Sequence, residues 1–245
     1  MLANLPLYLP LIFGLIAVLT LILFYRAIKN SNSQKVQLQS TKILIGLLSW
    51  LTIQAVLTLQ NVYSAHIDFF PPTILLFGIF PAIFTILVLF LSQKGRKFIE
   101  SLSIINLTYL HVVRVPVELI LYWLFLNKAV PELMTFEGRN FDIIAGITAP
   151  VIAYFGLVKI RIDRKLILIW NIICLGLLIN IVVNAFLSAP SQIQKFAFDQ
   201  PNIAILHFPF SWLPTFIVPV VLLAHLTSVI QLLKYRKLSK GQNMK

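Results

Sequence analysis

The sequence predicts an all-α integral membrane protein, a single bundle of seven transmembrane helices. Hydrophobic residues make up 59% of the 245 residues and charged residues only 11%, whereas soluble domains carry about 25% charged residues. The apolar residues form seven runs that are long enough, or nearly so, to cross roughly 30 Å of hydrocarbon. Because no polar block is long enough for a soluble domain, we expect residues 1–245 to form one transmembrane domain.

The seven predicted spans follow one another with short connections, and the fifth is the shortest. Helix is the regular structure expected in them, because lipid cannot satisfy an open backbone. No run shows the strict alternation of a membrane β-strand. In chain order, the spans cover about 7–26, 43–63, 72–93, 104–126, 142–159, 166–187 and 209–233.

The third and seventh spans share a pattern of proline-rich entry, internal proline, glutamine and a basic exit. The internal prolines are Pro81 and Pro219, and the glutamines are Gln93 and Gln231. This pattern is consistent with a parallel repeat of three, one and three helices, as in small sugar transporters. The Pro-Gln pair typical of one such transporter class is absent. The alternative is that proline suits helix starts and is tolerated within membrane helices.

The distribution of basic residues predicts the orientation of the bundle. Sixteen of the twenty Lys and Arg residues fall at chain positions that share one side of the membrane in this topology. The positive-inside rule then places the N-terminus outside and the C-terminus in the cytoplasm. We expect a bacterial cytoplasmic (inner) membrane, with the basic loops in contact with anionic lipid at the cytoplasmic face.

The same distribution constrains the partners. The net charge of +12 lies in short clusters between apolar spans, so it does not predict nucleic-acid binding. The expected partners are the bilayer, its anionic lipid and a small solute. The sequence does not define a protein partner.

The fourth span carries ionisable residues in its middle. His111, Arg114, Glu118 and Tyr122 share one face at about 100° per residue. An ionisable residue at that depth costs several kcal/mol unless it faces a protein interior or a wet cavity, which favours a functional role. Pro116 removes a backbone hydrogen bond nearby. We therefore predict a polar pocket on this face.

Arg114 and Glu118 are also candidates for an ion pair, because side chains four residues apart meet on a helix surface. Pairing is the least costly way to keep both residues charged in a low dielectric. Two interpretations of the pair remain open. It belongs either to a ligand or proton pathway or to a structural lock between helix four and its neighbours.

His225 in the seventh span lies about as deep as His111, so the two side chains meet if their helices are neighbours. Two level histidines raise the question of a haem or a metal. Glu118 lies about 10 Å along the helix axis from His111, too far for a single coordination shell. We predict hydrogen-bonded core histidines, with no metal and no cofactor. His225 completes the predicted ligand-binding set of His111, Arg114, Glu118 and Tyr122.

A second group of polar residues lies in the predicted outer loops. Asn140 or Asp142 suits a helix N-cap, whereas Glu137 and Arg139 have less structural reason to be there. The lone Cys174 excludes an intramolecular disulfide and a cysteine metal cluster. The predicted rim of a mouth opening outward consists of Glu137, Arg139, Asp142 and His207.

Three functional classes remain open on the sequence. The first is binding or transport of a small solute, an anionic one being suited to Arg114. The second is a structural or assembly subunit of a membrane complex. The third is a membrane-embedded enzyme with Glu118 or a histidine as general base. The sequence lacks a His-Glu-x-x-His zinc helix, a phosphate-binding glycine loop and a Gly-x-Ser-x-Gly elbow, so it assigns no catalytic residue.

Overall fold

The described part of the chain is helical wherever it is regular. The computed structural model describes residues 5–65 and 67–242, with side chains up to residue 234. All regular elements in these ranges are helices, which confirms the predicted all-α class. The helices are α1 (Tyr8–Lys29), α2 (Gln34–Leu59), α3 (Leu75–Leu91), α4 (Gln93–Ser101), α5 (Ile104–Leu126), α6 (Asp142–Val158), α7 (Arg164–Ser188) and α8, which begins at Leu213 and ends at Gln242.

Each of the seven predicted spans is largely helical, but fewer than seven helices have the length of a crossing. Within the described ranges, α1, α2, α5, α7 and α8 are long and apolar enough to cross a membrane. A sixth crossing results only if α3 and α4, which meet at 94°, count as one span. The bend follows from Ser92, whose hydroxyl accepts a hydrogen bond from the Gly95 amide at 3.0 Å and so begins a new helix. The apolar helix α6 is shorter than the five long helices α1, α2, α5, α7 and α8.

Helices α5 and α8 form the centre of the bundle. In their most apolar windows 56% and 61% of the residues are buried, against 17% in α2 and 28% in α7. The main hydrophobic core includes Leu107 and Leu110 of α5 and Val221 and Ala224 of α8. The polar residues of these two helices are therefore held inside the protein.

Helix α5 changes its geometry near its middle. The α-helix ends at Leu110, a 3₁₀ turn covers His111–Val113, and α-helix resumes at Arg114. Pro116 has no amide hydrogen and its ring crowds the carbonyl of Val112, which disfavours a regular α-helical turn there. His111 and Arg114 consequently lie at this break in the central helix.

Helices α3 and α8 begin with the same local structure. Each opens with a π-helical turn, Leu75–Ile79 in α3 and Leu213–Ile217 in α8. The two turns lie 138 positions apart, and so do Pro81 and Pro219, which follow them. The similarity between the third and seventh predicted spans therefore extends to their backbone geometry.

Helix α2 satisfies the carbonyl groups that these prolines leave free. A proline at position i cannot donate to the carbonyl at i−4, which is Phe77 in α3 and Thr215 in α8. The Gln54 side-chain amide donates to Phe77 O at 3.0 Å, and the Trp50 indole donates to Thr215 O at 2.9 Å. Tyr63 donates its hydroxyl to Gln54 Oε1 at 2.6 Å. Helix α2 is thus held to both π-helical turns by side-chain hydrogen bonds.

The Gln54 bonds give a prediction for stability. Gln54→Leu leaves the Phe77 carbonyl and the buried Tyr63 hydroxyl without their partner, which costs about 1–3 kcal/mol. We expect a lower unfolding temperature for the purified variant in detergent. Gln39→Leu, at an exposed position of α2, is the matched control and should unfold like the parent. Equal unfolding temperatures for the two variants would contradict the role assigned to Gln54.

Candidate functional site

A close approach of α6 to α5 assembles the charged residues of the interior. Gly146 of α6 lies against Val115 of α5, where an added Cβ would be 2.7 Å from Val115 Cγ2 and 2.9 Å from Val115 N. Real Cβ atoms do not come so close, so glycine is required for this contact. Asp142, the first residue of α6, is brought to Arg114 as a result.

Arg114 forms its ion pair with Asp142. The Arg114 Nε atom is 3.3 Å from Asp142 Oδ2, and the two side chains are only 4% and 6% exposed. Arg114 Nη2 also donates to the Cys174 carbonyl of α7 at 3.4 Å. The sequence suggested Glu118 as the partner of Arg114, because a single helix reveals only neighbours on its own surface. Asp142, which we assigned to the outer mouth, lies buried beside Arg114 instead.

Asn140 connects Glu118 to the same group. The Asn140 side-chain amide donates to Glu118 Oε1 at 2.5 Å and to the Met134 carbonyl at 3.0 Å. Asn140 Oδ1 accepts from the Asp142 amide at 3.1 Å. The sequence suggested Asn140 only as a helix cap, because its contact with Glu118 joins two segments that lie apart in the chain. We call Arg114, Glu118, Asn140 and Asp142 the polar cluster.

The polar cluster borders a cavity of about 240 Å³ between α3, α5, α7 and α8. Apart from the cluster, the lining is almost entirely aliphatic. Ile179, Val182 and Val183 of α7 line the cavity and are also exposed on the bundle surface by 40% or more. The cavity therefore reaches the side of the bundle along α7.

Four buried atoms of the polar cluster have no hydrogen-bond partner among the described residues. They are Glu118 Oε2, Asp142 Oδ1, Arg114 Nη1 and Arg114 Nε, of which Nε lies beside Asp142 in the ion pair. An unsatisfied buried polar atom costs about 1–3 kcal/mol, and more when it carries charge. Because all three residues border the cavity, an occupant can satisfy them. Apart from Arg114 Nε, which lies beside Asp142, the cluster offers an occupant two acceptors and one donor.

Four other predicted site residues lie apart from this cavity. Tyr122 packs its ring against Phe136, with 5.0 Å between centroids. Glu137 and Arg139 are exposed, and the Arg139 carbonyl accepts from Asn180 at 2.8 Å. His207 is half-buried in the segment before α8, and burial lowers its pKa below the usual value, so it is neutral at pH 7. None of the four borders the cavity at the polar cluster.

His111 and His225 meet in the interior. Their rings stack with 3.8 Å between centroids and 20° between planes. The Trp170 ring lies 5.8 Å from His111 and 6.0 Å from His225. The side chain of Asn171 hydrogen-bonds His225 Nδ1 at 3.1 Å. The other three ring nitrogens have no partner among the residues that the structure describes.

The stacked arrangement does not fit a haem or a metal held by the pair. Two axial histidines need their ring nitrogens to point at the iron from opposite sides, whereas stacked rings direct their in-plane lone pairs alongside each other. No group of three His, Cys, Asp or Glu side chains suited to a metal ion occurs in residues 5–65 and 67–242. The absence of a cofactor stays a prediction.

The fold and the site define a helical protein whose long apolar helices enclose a charged cluster beside an aliphatic cavity. The chain belongs to the family of a domain of unknown function, DUF8737, whose model matches residues 71–233. The match runs from the segment before α3 into α8 and includes every member of the polar cluster. No curated protein and no solved structure matches the chain.

The ion pair gives a second prediction. Arg114→Met and Asp142→Asn should each lower stability by about 3–5 kcal/mol, because each leaves a buried polar group without its partner. The double variant should recover part of this loss. Thermal unfolding of the three purified variants in detergent measures both effects. Single variants as stable as the parent would show that the pair does not carry the cost of a buried charge.

Proposed function

We propose that the chain is an integral membrane protein in which α3 and α6 complete a bundle of seven spans. The outward faces of the long helices support this proposal. Leu15 of α1, Ile45 of α2 and Ile173 of α7 are each more than half exposed. Large exposed apolar surfaces of this kind need an apolar environment, and helices satisfy their own backbone in lipid.

We further propose that the cavity beside the polar cluster binds a small amphipathic molecule. The observation that carries this proposal is the contrast within one cavity, between polar atoms of the cluster that lack hydrogen-bond partners and aliphatic side chains elsewhere. A polar head group supplies the missing hydrogen bonds, and an apolar body contacts the aliphatic lining. The opening along α7 supports entry from the bilayer.

The charges of the cluster favour a neutral or cationic head group. Asp142 already offsets the charge of Arg114, and Glu118 adds a second carboxyl group. An additional anion would therefore meet two acidic side chains and an arginine that is already paired. A hydroxyl or ammonium group instead donates to Glu118 Oε2 and Asp142 Oδ1. The anionic solute suggested by Arg114 alone is therefore a less suitable ligand.

The membrane topology gives a third prediction. With Cys174 replaced by Ala, a cysteine introduced at Glu132 should react with an impermeant thiol reagent added outside intact cells. A cysteine at Lys97 should react only after the membrane is permeabilised, because the basic loops face the cytoplasm. The reverse pattern would overturn the proposed orientation.

The ligand proposal gives a fourth prediction, tested with dodecanol, dodecylammonium and dodecanoate on protein in lipid nanodiscs. We expect dodecanol and dodecylammonium to raise the unfolding temperature more than dodecanoate. Glu118→Gln should weaken dodecylammonium binding at least tenfold, because a neutral amide cannot form an ion pair with the ammonium group. Dodecanol binding should change less, since the amide oxygen still accepts a hydrogen bond.

A matched pair on α7 controls this experiment. Ile179→Trp places a large ring at the cavity and should abolish the response to both ligands. Ile172→Trp lies two turns away on the same face, has a similar exposure and does not line the cavity, so it should respond like the parent. If none of the three compounds stabilises the parent, the polar cluster is a structural lock and the assembly class is favoured. A preference for dodecanoate would overturn the choice of head group.

A further inference from the structure

A second cavity, of about 550 Å³, lies on the other side of α3 and α8 from the polar cluster. It is bordered by α1, α2, α3 and α8, and α4 lies at one end. Because α2 is the least buried of the five long helices, this cavity is a groove near the bundle surface. Its apolar lining includes Phe24, Ile43, Leu47, Ile86, Phe98 and Leu223.

The polar side chains of this groove are all satisfied within the protein. Trp50 donates to the Thr215 carbonyl at 2.9 Å, and the Thr85 hydroxyl donates to the Pro81 carbonyl at 2.8 Å. The Thr215 hydroxyl donates to the Ser211 carbonyl at 2.8 Å. No polar side chain of the lining therefore needs a hydrogen bond from a ligand, and the groove suits a hydrocarbon chain.

The length of the groove matches part of one bilayer leaflet. Along α2 it runs from Trp50 to Ile43, and along α3 it runs from Pro81 to Leu89. At 1.5 Å per residue these stretches measure about 10–12 Å. One leaflet contributes about 15 Å of hydrocarbon. A lipid chain that enters at the Ile43 and Leu89 end fills most of the groove.

The same end of the groove is basic. Lys42 is adjacent to Ile43, and Lys97 is adjacent to Phe98 of α4. Lys94 lies one turn earlier in α4, and all three lysines are exposed. The nearby Glu100 does not offset them, because its carboxylate is 2.6 Å from Lys234 Nζ. The groove thus joins an apolar channel to a positively charged rim.

We propose that this groove binds an anionic phospholipid, with one acyl chain between α2 and α3 and the phosphate at Lys42, Lys94 and Lys97. The inference rests on the proposed membrane insertion but not on the ligand of the polar cluster. The groove would then be a specific site for the anionic lipid that the basic loops lead us to expect at the cytoplasmic face. A lysine rim attracts the phosphate, whereas the satisfied lining accepts only hydrocarbon.

Gly46 allows the groove to be filled without disturbing the fold. It lines the groove, and an added Cβ would meet no atom within 4 Å. Gly46→Phe should therefore occupy the space of the acyl chain. Gly14→Phe in α1 is the matched control, because Gly14 is equally free of neighbours and does not line the groove.

Native mass spectrometry in detergent, titrated with phosphatidylglycerol or phosphatidylcholine, tests the proposal. The parent and Gly14→Phe should bind phosphatidylglycerol at least tenfold more tightly than phosphatidylcholine. Gly46→Phe should lose this binding, and Lys42→Gln combined with Lys97→Gln should bind both lipids equally. Unchanged phosphatidylglycerol binding in Gly46→Phe, or an unchanged preference in the lysine variant, would overturn the proposal.

The experiments distinguish the ligand proposed for the polar cluster from the phospholipid proposed for the groove. Gly46→Phe should keep the dodecanol response, because Gly46 does not border the first cavity. If dodecanol does not stabilise the parent, the ligand proposed for the polar cluster is contradicted, whereas the proposed phosphatidylglycerol site is not. Loss of that response in Gly46→Phe alone would show that filling the groove disturbs the whole bundle, and the assignment of the lipid to this groove would then be rejected.

Discussion

The ion pair between Arg114 and Asp142 is the interaction on which the interior of this protein depends. An isolated charge in an apolar helix is costly, and a buried partner with good geometry offsets that cost. The pair requires α6 to lie against α5, which the missing side chain of Gly146 permits. Once α6 is in place, Asn140 reaches Glu118. One contact between two helices thus brings four polar side chains together.

The two cavities differ in the state of their buried polar atoms rather than in their aliphatic lining. In the first, one carboxyl oxygen each of Glu118 and Asp142 has no hydrogen-bond partner among the described residues. In the second, Trp50, Thr85 and Thr215 all donate to nearby carbonyls. Because an unmade hydrogen bond is costly and a made one contributes little, the first cavity favours an occupant with a polar head and the second favours hydrocarbon.

Proline controls where the apolar helices become irregular. Pro116 follows the 3₁₀ turn of α5, and Pro81 and Pro219 follow the π-helical turns of α3 and α8. These irregular turns lie beside the two cavities, where freed carbonyls bind α2 and where His111 and Arg114 turn inward. The breaks in helical geometry therefore shape the sites as well as the fold.

The sequence by itself determined that the chain is helical, where its long apolar helices lie and which of their residues share a face. The fourth span was predicted at 104–126 and helix α5 covers Ile104–Leu126, because the length of an apolar run is a local property. His111, Arg114 and Glu118 could be placed on one buried face from helical periodicity alone. The tertiary structure decided that Asp142 pairs with Arg114, that Asn140 holds Glu118 and that His111 stacks on His225. These contacts join different helices, and their geometry depends on Gly146 and on packing around α8, which no single stretch of sequence reveals.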